Sequence, residues 1–206
     1  VRKENHMKTN NKWTVKDVIT TVLLTVVLIG IHFIVITVSM VNQFFNCVLS
    51  PGVSMFFSAP VYMLMVSRVN KRFVSLAYLT ILGLVFLLTG NWYLLPYFVL
   101  VGLLCEVVLW KWDSCRNAKR LTFTWSMVSL FYNGGNLLPL LFFWDTFYEF
   151  AVTSGLDQSY IDSYIQYYTS PGWLIFIAAF SVICGFLGSI LGTRLIGKHF
   201  KKAGVL

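Results

Sequence analysis

The sequence predicts an all-α integral membrane protein with six transmembrane helices and both termini in the cytoplasm, and three observations predict it. Only 12% of the 206 residues are charged while 57% are hydrophobic; an ordinary soluble domain is about one quarter charged. The apolar residues gather into six continuous runs. Strands of a membrane barrel alternate instead, and backbone polar groups in lipid must be bonded within a helix or a closed barrel. All 16 Lys and Arg residues fall in the two tails, on alternate connections between the runs or, for Arg194, at the tail end of the last run.

The runs are Val18–Met40, Pro51–Ser67, Phe73–Gly90, Leu94–Trp110, Leu121–Trp144 and Trp173–Ile196. A hydrocarbon core roughly 30 Å thick takes about 20 apolar residues per crossing, so six crossings use about 120 positions. The remainder suffices for tails and short connections, with no room for a soluble catalytic domain. The shorter runs lie at the lower limit for a crossing and are extended by aromatic flanks; the longer ones tilt. The first run follows Arg2, Lys3, Lys8, Lys12 and Lys16. It is too long for a signal-peptide core and no small-residue cleavage site follows it, so it is read as a retained helix. The domain reading is a basic cytoplasmic segment at 1–17, one membrane domain at 18–196 with an outer loop at 145–170, and a basic cytoplasmic tail at 197–206.

Orientation follows from the cations, which stay on the cytoplasmic side near helix ends. Five precede the first run. Arg68, Lys71 and Arg72 lie between runs two and three, and Lys111, Arg116, Lys119 and Arg120 between four and five. Arg194, Lys198, Lys201 and Lys202 close the chain. The opposite connections hold no Lys or Arg, but do hold Asp145, Glu149, Asp157 and Asp162. This topology accounts for the net charge of +8 without a nucleic-acid partner, and it places the chain in the cell membrane with the basic side toward anionic inner-leaflet lipid. Cys47, Cys105, Cys115 and Cys184 show no C-x-x-C spacing, so neither a disulfide framework nor a zinc site is implied.

Candidate chemistry concentrates on the outward face. The loop 145–170 is too long for a simple connector and reads as an interfacial helix capped near Asp157 or Ser159. Its Tyr160, Tyr164 and Tyr167, with Trp173, suit either stacking on a ligand or an aromatic belt at headgroup level. Tyr132-Asn-Gly-Gly-Asn-Leu-Leu-Pro139 is a helix-weakening cluster. Irregular backbone at membrane depth is tolerated where it lines a wet cavity or is buried in protein, so Asn133 and Asn136 are candidates for polar recognition or for bonds to a neighbouring helix. His32 is a candidate ligand for a metal or haem iron, or a hydrogen-bonded structural histidine. Glu106, a carboxylate inside the end of run four, calls for a partner. Lys111, Arg116, Arg120 and a basic residue of another subunit are the candidates, with proton coupling as a further option. Gly188-x-x-x-Gly192 permits close helix approach, internal or to a partner. The chain lacks G-x-x-x-x-G-K-[ST], H-E-x-x-H and G-x-S-x-G, so it is read as a non-enzyme without its own ATPase and with no resident cofactor.

Together with the six-run layout, Gly197-Lys-His-Phe-Lys-Lys-Ala-Gly204, Pro60-Val-Tyr-Met-Leu-Met65 leading to Arg68-Val-Asn-Lys-Arg72, and Gly102-Leu-Leu-Cys-Glu106 resemble the substrate-binding S components of energy-coupling factor (ECF) transporters, in the small hydrophobic group called Trep_Strep or MptD-like. The resemblance covers nearly the whole chain. It implies a receptor that captures a scarce micronutrient outside, associates with a membrane coupling protein and two ABC ATPases, and reorients to release its cargo inward. It also implies a coupling face on runs one to three, with Thr21, Thr25 and Gly30 as the candidate contacts. The family often carries alanines where Thr21 and Thr25 stand. Group members are often associated with iron-related uptake, so haem or another iron compound, held through His32, is the subsidiary expectation for the ligand. An independent secondary transporter or channel is the alternative class, and a membrane-embedded enzyme the third.

Overall fold

A computed structural model describes residues 12–110 and 114–197 of the chain. Most of the basic N-terminal segment, the basic tail from Lys198, and Lys111 lie outside the described residues. The described chain forms α1 (Val15–Ser39), α2 (Ser50–Val69), α3 (Val74–Leu88), α4 (Leu94–Leu109), α5 (Ala118–Phe142), α6 (Trp144–Thr153), α7 (Gln158–Thr169) and α8 (Pro171–Leu195). A π-helical turn at Phe45–Leu49 runs directly into α2.

The six long helices fall on the six apolar runs. Val15–Ser39, Phe45–Val69 and Pro171–Leu195 are each long and apolar enough to cross a membrane. α3 and α4 are equally apolar but have 15 and 16 residues, roughly 22–24 Å of helix. α5 has 25 residues, its apolar character diluted by the Asn-Gly-Gly-Asn cluster.

Local signals set the boundaries. α1 opens with a capping box: Asp17 N donates to Thr14 Oγ1 at 3.3 Å and Thr14 N to Asp17 Oδ2 at 2.9 Å, which satisfies two otherwise orphaned amides. Asn117 caps α5 by accepting from Lys119 N and Arg120 N. The turn between α2 and α3 uses two left-handed residues, Asn70 at φ 46° and Phe73 at φ 70°.

The long helices close a ring in the order α1, α2, α8, α5, α4, α3, with α3 returning to α1 and α2 also touching α5 and α3. α2 is the most enclosed of the three long apolar helices. Its Tyr62 stacks on Trp125 of α5 with centroids 4.4 Å apart, Trp125 Nε1 donates to Met55 O at 3.0 Å, and Tyr62 and Ser75 share a 2.8 Å hydroxyl pair. The Gly188-x-x-x-Gly192 stripe is spent internally: a Cβ at Gly188 would lie 2.5 Å from Phe56 O and 2.9 Å from Ala59 Cβ on α2. Small residues let two backbones approach where side-chain packing, not water, drives association.

Three expectations are refined. The Tyr132–Pro139 cluster does not break α5, which is continuous to Phe142. Gly134 and Gly135 instead let α4 come close, so that Tyr97 hydroxyl donates to Phe131 O at 2.6 Å across the gap. That burial offsets the weak helix propensity. The helix expected near Asp157 is α7, with Asp157 at its N-cap but making no side-chain cap bond, and a second helix, α6, precedes it in the loop 145–170. Glu106 is held chiefly by backbone amides, with Arg72 the nearby cation that acts on its charge, while Lys111 lies outside the described residues. Glu106 Oε2 accepts from Phe73 N at 2.8 Å and Oε1 from Leu76 N at 3.4 Å, so the carboxylate caps the N-terminus of α3, where unpaired amides and the helix dipole favour negative charge.

Candidate functional site: a polar cavity beneath α7

α7 carries tyrosines at 160, 164 and 168, four residues apart and therefore on one face. That face turns inward, with Tyr164 and Tyr168 buried together with Ile161 and Tyr160 half-buried. The π turn and α2 meet it from below with Asn46, Ser50 and Ser54, also four apart. Between them lies a cavity of about 130 Å³, whose remaining wall comes from Ile36 of α1, Phe86 of α3, and Tyr132 and Asn136 of α5, with Cys47 and Pro51.

Hydrogen bonds tie the roof to the walls. Tyr160 hydroxyl donates to Asn46 Oδ1 at 3.1 Å and Tyr168 hydroxyl to Cys47 O at 3.0 Å. Asn136 Nδ2 donates to Tyr168 hydroxyl at 3.0 Å, and Tyr164 hydroxyl donates to Asn136 O. At the rim, Gln43 Nε2 donates to Ser159 Oγ and Ser163 Oγ to Gln43 Oε1, both at 2.8 Å. Burial pushes the phenols of Tyr160, Tyr164 and Tyr168 above their ordinary range, so they remain protonated hydrogen-bond donors near neutral pH. The lining holds no Asp, Glu, Lys, Arg or His.

The sequence-predicted residues divide. Asn136, Tyr160 and Tyr164 line the cavity. Asn133 points elsewhere in α5, its Nδ2 bonded back to Ser129 O at 3.1 Å while its buried Oδ1 has no partner. Tyr167 and Trp173 lie on the outer side of α7, edge to face at 5.2 Å, with Phe44 5.8 Å from Trp173. They clamp α7 to α8 rather than touch the cavity. His32 sits one turn below Ile36, buried, with Nε2 3.2 Å from Tyr78 hydroxyl and its ring stacked 5.2 Å from Tyr132. It is not among the residues that line the cavity, whereas Tyr132, on which it stacks, is.

The volume bears on the ligand as well. Pockets for drug-sized molecules occupy about 300–1,000 Å³, and a porphyrin needs at least that. At about 130 Å³ the cavity falls below that range. Among the described residues, no group of three or more His, Cys, Asp or Glu is placed to hold a metal ion.

The candidate coupling residues are also placed. Thr21 and Thr25 are buried, Thr21 Oγ1 bonding to Asp17 O at 2.8 Å and Thr25 Oγ1 to Met65 Sδ at 3.7 Å. They serve the packing of α1 and the bundle interior, not an open face, because they share the stripe of Leu28 and His32 that faces inward. Gly30 is half-buried with open space around a would-be Cβ.

Tyr132, Tyr168, Asn46, Ser50 and Ser54 were missing from the predicted set. The four-residue spacing of Asn46, Ser50, Ser54 and Ser58 is the signal that finds the second helix's contribution, since a polar stripe within an apolar run must face protein or water rather than lipid.

No curated protein and no solved structure matches the chain. The model of one family, described as a hypothetical bacterial integral membrane protein family, matches residues 15–202, nearly the full length and every element described above. The chain belongs to the Trep_Strep family of bacterial integral membrane proteins.

Proposed function

We propose that this chain is the substrate-capture S component of an ECF-type importer in the cell membrane, with six helices crossing the bilayer and both termini cytoplasmic. It takes a small solute from outside and works with a membrane coupling protein and two ABC ATPases. The observation that carries the reading is the cavity of uncharged polar and aromatic residues on the cation-free side, roofed by a helix that is bonded to its walls through side chains. An importer lacking a phosphate-binding loop needs an outward site and an external source of free energy.

The cavity narrows the solute. A cavity of about 150 Å³ accommodates a benzene ring, so about 130 Å³ suits a molecule of single-ring size. Eight hydroxyl and amide side chains line it, most of them bonded to one another or to backbone, and an ion would be desolvated there with no charged group to compensate. The solute class is therefore small, uncharged and rich in hydrogen-bonding groups, which replaces haem in this reading.

Two measurements test it. Mass spectrometry of the purified chain should find a bound metabolite of that class. Proteoliposomes containing the chain, the coupling protein and both ATPases should accumulate it on ATP addition, whereas the chain alone should not. Uptake by the chain alone would make it an independent transporter, and chemical turnover of the bound molecule would make it an enzyme.

A further inference from the structure

We infer that a groove between α5 and α8, remote from the cavity, binds one anionic glycerophospholipid of the inner leaflet, the phosphate between Lys119 and Arg194 and an acyl chain along the apolar trough. Two adjoining sections of about 510 and 420 Å³ share Lys119, Thr122 and Phe186, which makes them one groove. Lys119 and Arg194 stand at one end of it. Towards the other it is walled by side chains such as Met127, Leu130 and Ile183. Neither section is lined by an acidic residue.

Length supports this occupant. From Lys119 to Leu130 the helix rises about 16 Å, close to half of the roughly 30 Å hydrocarbon thickness. A chain anchored by its headgroup at Lys119 therefore ends near the bilayer midplane. The charge is complementary: two cations, Lys119 and Arg194, line the end of the groove that a phosphate would occupy, and such pairing favours anionic over zwitterionic lipid. The inference requires membrane insertion with the basic side inward, and does not depend on what the chain transports.

Native mass spectrometry of the full chain in detergent, titrated with equal phosphatidylglycerol and phosphatidylcholine, tests the groove. One phosphatidylglycerol should be retained in preference. Each cation near anionic lipid contributes about fivefold, so Lys119→Gln with Arg194→Gln should lower that preference about 25-fold, and added salt should weaken it. Arg68→Gln with Arg116→Gln removes the same charge elsewhere and should leave the preference intact. Equal retention of both lipids by the unmodified chain would overturn the inference, as would equal loss in both double variants. A photo-reactive side chain at position 130 should capture lipid. Capture of a polypeptide there would overturn the inference and assign the groove to a protein helix. Unchanged circular dichroism and melting of the variants exclude misfolding as the cause.

Discussion

Tyr168→Phe isolates the bonds that hold α7 over the cavity. The hydroxyl donates to Cys47 O and accepts from Asn136 Nδ2, both at 3.0 Å, and the side chain is buried. The substitution keeps the ring and its tilted contact with Tyr164 at 4.9 Å while leaving a carbonyl and an amide without a partner. At about 1 kcal/mol net for each bond, the loss is about 2 kcal/mol. Since about 1.4 kcal/mol is tenfold in an equilibrium, the population with α7 undocked should rise about 30-fold. Hydrogen exchange of the α7 amides, read by mass spectrometry against the α5 amides as internal standard, measures that ratio directly. Tyr167→Phe is the matched control, because Tyr167 contributes ring contacts with Phe44 and Trp173 on the opposite side of the helix. Unaccelerated exchange in Tyr168→Phe, or equal acceleration in the control, would refute the claim that the inward tyrosine face holds the roof.

Other outcomes follow from the same geometry. Gly188→Ala must push α8 from α2 by several tenths of an ångström, since backbone oxygen Phe56 O lies 2.5 Å from the new Cβ; overpacking of this kind costs about 1–3 kcal/mol, visible as a lower melting temperature in detergent. Gly30→Ala, whose Cβ meets nothing within 4 Å, should be neutral or stabilising by up to about 1 kcal/mol through helix propensity. Glu106→Ala strips the cap from α3 and leaves Phe73 N and Leu76 N unpaired, with an expected loss of about 1–3 kcal/mol and faster exchange in the first turn of α3, while solute affinity is retained. Affinity for an uncharged solute should vary less than about twofold between about pH 6 and pH 9. Burial raises the lining phenols of α7, so the sign is fixed: they lose protons only well above that window. Isothermal titration across the range checks this, and a steep change near neutrality would mean that a titrating group reaches the solute.

The helices were legible in the sequence because each one obeys a local rule. Six apolar runs predict six long helices, since a chain with so few charges must satisfy its backbone within each segment. Gly188 and Gly192 announce a close helix contact. The partners of buried polar groups were not legible. Glu106 invites a search for a cation by composition, and Arg72 does stand near it, but its hydrogen bonds come from amides of Phe73 and Leu76, which no side-chain count reveals. Asn133 and Asn136 look equivalent in sequence, but three residues along a helix is about 300° of rotation; one meets its own helix and the other meets Tyr168. Whether Thr21 and Thr25 face a partner or the interior depends on which side of α1 the ring closes against. Local periodicity is a property of the chain alone and survives without knowledge of neighbours. The cavity, its size and its roof arise only where α1, α2, α5 and α7 converge from distant parts of the chain, so tertiary packing decided them.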